Sequence, residues 1–237
     1  MLKFFLGTLY LTIFLFVIDK VEKNYISKPE FKLSIIKYNG NYSLIKDELI
    51  KLSDSIYGKS IWELPLNKLK QKIQEDIRVK SVNISYPKLG AVDFLIEEKE
   101  PSYYANINGK NFAIGEKGEI FAFIEEISVK ELPIIFVNSE EEIEDILKLL
   151  FKIKDAELVK MITKIYYKSP IEIDLLIDKD VIIKTQQNVI DEKYDVLREL
   201  YFNLSKDKKI EYIDLRFDGY VVKEIGADSI DKPKRDN

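Results

Sequence analysis

The side chains in this chain most suited to acid–base work are carboxylates standing in runs. These are Glu97-Glu98-Lys99-Glu100, Glu125-Glu126 and Glu140-Glu141-Glu142. Paired carboxylates cleave glycosidic bonds when two of them flank a reacting centre. Each run here falls at a turn, a strand end or a helix start. Glu140 to Glu142 are explained by helix capping and the helix dipole. The chain has no His and no Cys. That excludes a Ser-His-Asp triad, a cysteine nucleophile, a thiolate zinc site, an imidazole proton shuttle and any disulfide. Aspartates do not recur at metal-ligand spacing, and the scattered Asn41, Asn83, Asn111 and Asn203 read as turn chemistry. We therefore expect no catalytic residue, no metal, no cofactor and no small-molecule substrate.

What remains is contact chemistry. Trp62, the only tryptophan, is expected to pack between two helices beside Ile61 and Leu64 rather than to act as a binding hot spot. Asp214 and Arg216 fall two apart on one strand. They are expected on a solvated face, with Ile213, Leu215 and Phe217 turned to the core. Tyr220 to Ile225 is the last strand in the sequence. Asp218-Gly219 predicts a two-residue hairpin before it, so it should lie at a sheet edge. Its side chains are apolar apart from Lys223 and Glu224. An edge of this kind offers unpaired backbone groups to another chain's strand.

Stepping along the chain gives the elements that must carry these groups. The 237 residues hold 37 basic and 41 acidic side chains, a net charge of −4, and 46% hydrophobic residues. That is a folded protein of one or two domains, and nucleic acid is not its partner. Residues 4 to 18 carry no charge, and a helix over 1 to 18 would be about 27 Å long against roughly 30 Å of bilayer core. No small-residue cleavage site follows, so a retained signal anchor over 1–18 is expected, in contact with membrane lipid. Residues 19–30 read as a juxtamembrane linker. A strand over 31–38, a turn at Asn39-Gly40-Asn41, and a helix capped by Ser43 and ended by Gly58 come next. A second helix (67–76) and a hairpin over 79–98 complete a β-α-α-β-β module. Lys99-Glu100-Pro101-Ser102 marks its boundary.

Beyond it, short strands are expected at 103–107, 110–114, 119–123, 134–137, 163–167, 171–177 and 181–185. Helices are expected from Ser139, in a capping box with Glu142, to about Ile153, over 156–161, and as one amphipathic piece over 191–204. The closing hairpin spans 211–225, and 226–237 read as a disordered tail. The fold class is thus α+β: an N-terminal transmembrane helix, a β-α-α-β-β module and a mostly antiparallel β domain with flanking helices.

One combination of residues resembles a known family. Tyr38-Asn39-Gly40-Asn41 follows the first strand. Ile73-x-x-x-Ile77-Arg78-Val79-Lys80-Ser81-Val82 precedes the second, and Tyr86-Pro87 and Phe94 to Pro101 complete the hairpin. With Gly115-x-x-Gly118-x-Ile120-Phe121, Leu132-Pro133 and Tyr212 to Asp218, this order resembles the POTRA module and β domain of the bacterial cell-division proteins FtsQ and DivIB. The likeness spans about residues 1 to 225. Arg78 stands where the family usually has an aromatic, and Tyr220-Val221-Val222 where it often has small residues. The resemblance implies a POTRA-like domain (31–100), a β domain (101–225) and a non-enzymatic scaffold at the division septum. It implies one membrane span, a cytoplasmic N-terminus and an extracytoplasmic body. It further implies single-pass partners of the FtsB and FtsL type, bound through Tyr212, Arg216, Phe217, Tyr220, Val221 and Val222. The competing reading is a POTRA-bearing chaperone or transport component for outer-membrane or secreted chains. An anchored cell-wall hydrolase is a third.

Overall fold

The computed structural model describes residues 2–127, 132–178 and 181–225. The chain divides into two compact units, Met1–Lys99 and Glu100–Asn237. The expected tail (226–237) and part of the turn Asp178-Lys179-Asp180 lie outside the described residues.

The first unit opens with helix α1 (Leu2–Ile26). From Leu9 to Ile18 its large apolar side chains are 44–70% exposed on every face. Among the described residues no helix is long and apolar enough to cross a membrane. A short 3-10 turn at Pro29–Phe31 leads into β1 (Ile35–Asn41), α2 (Lys46–Ile56), α3 (Leu66–Gln74), β2 (Val79–Ser85) and β3 (Ala91–Glu98). The strand order is β1-β3-β2, with β3 parallel to β1 and antiparallel to β2. Val92, Phe94 and Ile96 alternate along β3 onto one buried face, where they meet Leu49 and Ile56 of α2 and Ile73 of α3. Period-two burial of this kind fixes the register, because a one-residue slip would turn all three outward.

Asn39-Gly40-Asn41 does not make the expected turn. All three residues pair with β3, opposite Leu95, Ile96 and Glu97. Gly40 sits at φ +90°, and a Cβ there would fall 2.0 Å from the Ile96 carbonyl oxygen. The glycine serves a close strand approach, not a reversal. Nor does Ser43 cap α2. The buried Glu98 carboxylate at the end of β3 does so instead. It accepts from the backbone N–H of Leu44 (2.6 Å) and Ile45 (3.0 Å) and from the Ser43 hydroxyl (3.2 Å). A negative charge on the free N–H groups at a helix start is the favourable arrangement. Arg78 fixes the opposite side of the same helix start. It donates to Asp76 (2.7 and 2.8 Å), Glu48 (2.8 Å) and the Leu44 carbonyl (2.6 Å).

The second unit contains β4 (Tyr103–Ile107), β5 (Lys110–Ile114), β6 (Ile120–Ile124), β7 (Ile134–Val137), α4 (Glu141–Leu150), α5 (Ala156–Met161), β8 (Ile162–Ser169), β9 (Glu172–Ile177) and β10 (Val181–Thr185). It ends with α6 (Glu192–Asp195), α7 (Leu197–Ser205), β11 (Ile210–Asp214) and β12 (Val221–Glu224). The twelve-strand numbering resolves, in this unit, into a nine-stranded sheet ordered β12-β11-β10-β9-β8-β7-β4-β5-β6. Five of its pairings are antiparallel. β4–β7, β7–β8 and β10–β11 are parallel. Ile135, Ile165, Ile173, Ile183 and Ile213 form a buried face against Ile146 and Leu149 of α4, Leu158 of α5 and Leu197 of α7. At the β4–β5 turn, Asn108 and Gly109 take φ values of +50° and +81°, the conformation that makes Asn-Gly a hairpin signal.

Two local expectations about helices fail here. The capping box from Ser139 does not close. Glu142 reaches one residue further back and accepts from the Asn138 N–H at 2.7 Å. The amphipathic stretch over 191–204 is broken at Val196 into α6 and α7. Tyr194 in the first piece is buried, its hydroxyl 2.5 Å from that of Thr185. Burial pushes the Tyr194 phenol up to about 12, despite the opposing Thr185 bond. In the first unit, Trp62 lies outside the helical core. It is 61% exposed and meets Phe31 edge-on at 6.0 Å.

Candidate partner-binding edge

Among the described residues β12 is the last member of the sheet and has one sheet neighbour, β11. Its outward backbone groups follow from one bond. The Ile225 N–H donates to the Lys209 carbonyl at 2.8 Å, so residue 225 points inward. Backbone polar groups alternate along an antiparallel strand. Lys223 and Val221 therefore also point inward, while Glu224 and Val222 present N–H and C=O to the free side. The register shift between Ile210 and Tyr212 falls on β11, which leaves β12 regular.

The six residues between the strands replace the expected two-residue hairpin. β11 stops at Asp214 because Asp214 turns back on its own chain. It accepts from the Arg216 backbone N–H (3.0 Å), from Nε (2.9 Å) and from Nη2 (2.7 Å). This residue is only 3% exposed, so the expected solvated face is corrected. Burial pushes the carboxyl up. The Arg216 hydrogen bonds and charge outweigh that and hold it below the usual range. The Arg216 guanidinium is thereby occupied within the fold.

The loop is held by a residue that sequence reasoning passed over. Lys193 Nζ in α6 donates to the carbonyls of Leu215 (2.9 Å) and Phe217, and reaches Gly219 at 3.5 Å. The Tyr220 hydroxyl donates to the Lys193 carbonyl at 3.2 Å. Tyr220 is half-buried against the core, and burial raises its phenol. One lysine and one tyrosine thus fix the start of β12. A single ammonium with several carbonyl acceptors leaves no obvious periodicity to read.

Of the six expected contact residues, the fold gathers all at one end of the sheet. Val222 packs on the core face. Tyr212 and Val221 take the other face, with Lys184 Nζ 4.4 Å above the Tyr212 ring. Phe217 is not in the core as expected. It is 57% exposed on the loop, because the chain leaves the strand at Asp214. Phe217 and Val221 are the exposed apolar members, while Arg216 and Tyr220 hold the edge in place. Among the described residues no carboxylate cluster could hold a metal ion.

Two family models match segments of the two units. A family model described as "POTRA domain, FtsQ-type" matches residues 31–98. A second, "Cell division protein FtsQ/DivIB, C-terminal", matches residues 103–216. The chain belongs to the FtsQ/DivIB family. Among similar proteins of that family, the cell division protein DivIB of Clostridium acetobutylicum is 29% identical over 100 residues, 42% of this chain and 40% of that protein. DivIB of Bacillus subtilis is 28% identical over 165 residues, 68% of this chain and 61% of the relative. The matched segments therefore span less than two thirds of either relative. The solved extracytoplasmic domain of the trans isomer of DivIB from Geobacillus stearothermophilus aligns with 47% of this chain and 99% of that domain, at 12% identity and a TM-score of 0.35. The FtsQ/DivIB C-terminal match ends at Arg216, so Phe217 and β12 lie beyond it.

Proposed function

We propose that this FtsQ/DivIB-family protein is a non-enzymatic scaffold of the divisome. It recruits single-pass partners of the FtsB and FtsL type by adding one of their strands beside β12. The observation that carries this reading is the free side of β12, where Val222 and Glu224 offer two N–H and two C=O groups. Main-chain pairing supplies affinity, and Val221 and Phe217 supply apolar contact. Arg216, Tyr220 and Lys193 act as positioning residues for that edge.

The first unit serves recruitment, and α1 sits in the cytoplasmic membrane with the two units outside. This reading is supported by the uncharged run of residues 4–18 and by the exposure of its large apolar side chains from Leu9 to Ile18. Protease added to spheroplasts should digest both units, and full protection would reverse the topology. A photo-crosslinking residue at Val221 in dividing cells should capture an FtsB- or FtsL-type protein. Recovery of neither, with capture from an unrelated surface position instead, would remove the β12 reading.

A further inference from the structure

Trp62, Leu89 and Tyr86 are 61%, 58% and 42% exposed, and with Ile61 and Lys88 they line one shallow concavity of about 400 Å³. Nothing in the scaffold reading uses them. They belong to two loops, and both loops are tied by backbone bonds to the segment where the chain enters the first unit. The Ile61 N–H donates to Phe31 O (2.8 Å) and the Leu33 N–H to Lys59 O (2.8 Å). From the other loop, Gly90 O accepts from Ser34 (2.9 Å) and Ile35 (3.1 Å). The Trp62 ring rests on Phe31. The apolar patch is thus fixed to the entry point of the unit.

That entry point cannot lie far from α1. Four residues separate Ile26 from Phe31, five Cα–Cα steps with a reach of at most about 18 Å. The charged end of α1, Asp19 to Ile26, rises about 12 Å above the apolar stretch. The link is therefore long enough to bring the patch back beside the helix, to the level of the lipid headgroups. The composition suits that layer. Trp and Tyr place a flat apolar body with a polar handle there. Lys88 lines the concavity, the exposed Lys32 and Lys59 lie in the segments that are hydrogen-bonded together at its base, and lysine stems reach along apolar surface while the ammonium stays at the headgroups. The segments 30–34, 59–63 and 86–90 together hold these three lysines against Glu30 and Glu63, a basic balance.

We infer that the Trp62–Tyr86–Leu89 patch docks on the phospholipid surface and seats the first unit against the membrane. The inference rests on α1 being held in lipid, and the test separates the two. Trp62 is the only tryptophan, so the emission of the full-length protein reports this patch alone. The protein is reconstituted into vesicles of phosphatidylcholine and phosphatidylglycerol, with brominated acyl chains in one sample. Co-flotation tests α1, and quenching of Trp62 tests the patch. Flotation with a blue-shifted, bromine-quenched emission is the expected result. The Tyr86→Glu, Leu89→Glu double variant should still float, keep its circular dichroism and lose most of the quenching. Flotation with an unshifted, unquenched Trp62 would overturn the patch and leave the anchor standing. Failure to float would overturn both.

Discussion

Replacing Val222 with proline should weaken partner binding about 30-fold and leave the fold standing, whereas replacing Val221 should chiefly destabilise the fold. The two positions are adjacent on the same edge strand. Val222 lies against the core and Val221 is 42% exposed, and their backbone N–H groups point to opposite sides. At Val222 the N–H points to the free side, so proline deletes one donor of the shared ladder, and its ring displaces the incoming strand from the Val222 carbonyl. Two hydrogen bonds at about 1 kcal/mol each amount to roughly 2 kcal/mol, or about 30-fold in Kd. At Val221 the N–H faces Asp214. Proline there leaves a β11 carbonyl without its donor, costing about 1–3 kcal/mol of stability. The melting temperature should fall by roughly 2–4 °C per kcal/mol. Isothermal titration with a strand peptide from the partner, alongside thermal melts of both variants, reads the two effects. A folded Val222→Pro variant that binds as tightly as the parent would refute the alternation argument and the docking mode together.

Three further outcomes follow from the same contacts. Glu98→Ala should cost about 2–4 kcal/mol in the melt of the first unit, because three donors at the start of α2 lose a common buried acceptor; an unchanged melt would show that α2 is capped otherwise. Arg78→Ala should cost about 1–3 kcal/mol, with Arg78→Lys recovering only part of it, since the fork that reaches Asp76, Glu48 and the Leu44 carbonyl is planar. Asp214 has a folded pKa held below its unfolded value, so its contribution is present above about pH 4 and is lost as pH falls through the folded pKa. Parent and Asp214→Asn melts should converge as pH falls through the folded pKa and separate at neutral pH; parallel curves across that range would exclude a charged Asp214–Arg216 pair.

Period and turn chemistry made most elements of this chain legible. Val92, Phe94 and Ile96 announce β3 by alternation, and Asn108-Gly109 announces the β4–β5 hairpin by its demand for positive φ. What stayed hidden was set by partners distant in sequence. Gly40 looks like a turn residue until Ile96 is brought against it. Ser43 looks like a cap until Glu98, 55 residues on, takes the role. Trp62, beside the apolar Ile61 and Leu64, reads as a residue packed between helices, but apolar neighbours in sequence do not tell a core position from an exposed one. At the candidate site the edge position of the last strand could be anticipated from chain order. The six-residue connection could not. It depends on Asp214 hydrogen-bonding its own chain and on Lys193 collecting loop carbonyls, and neither leaves a periodic signature. Arg78 shows how a departure from family pattern acquires a physical cause only once Asp76 and Glu48 are placed around it.

The sheet has a second edge, β6, and the two edges differ in what a docking strand would meet. On β6, Phe121 and Ala122 are both buried, at 4% and 7% exposure, and the register with β5 shifts beside them. Side chains of an added strand must find room next to that covered, irregular edge. On β12 the neighbouring positions are open, with Val221 42% exposed. Charged side chains normally guard such an edge against pairing. β12 carries two, and both are turned onto its own unit: Lys223 pairs with Glu211 at 3.2 Å and Glu224 with Lys208 at 2.5 Å. The guards thus stabilise the edge without occupying it. A partner strand meets the outward backbone of Val222 and Glu224 and the exposed side chain of Val221, on an edge whose start is clamped by Lys193 and Tyr220. Little ordering is then left for binding to supply on this side, so most of the ladder energy can appear as affinity.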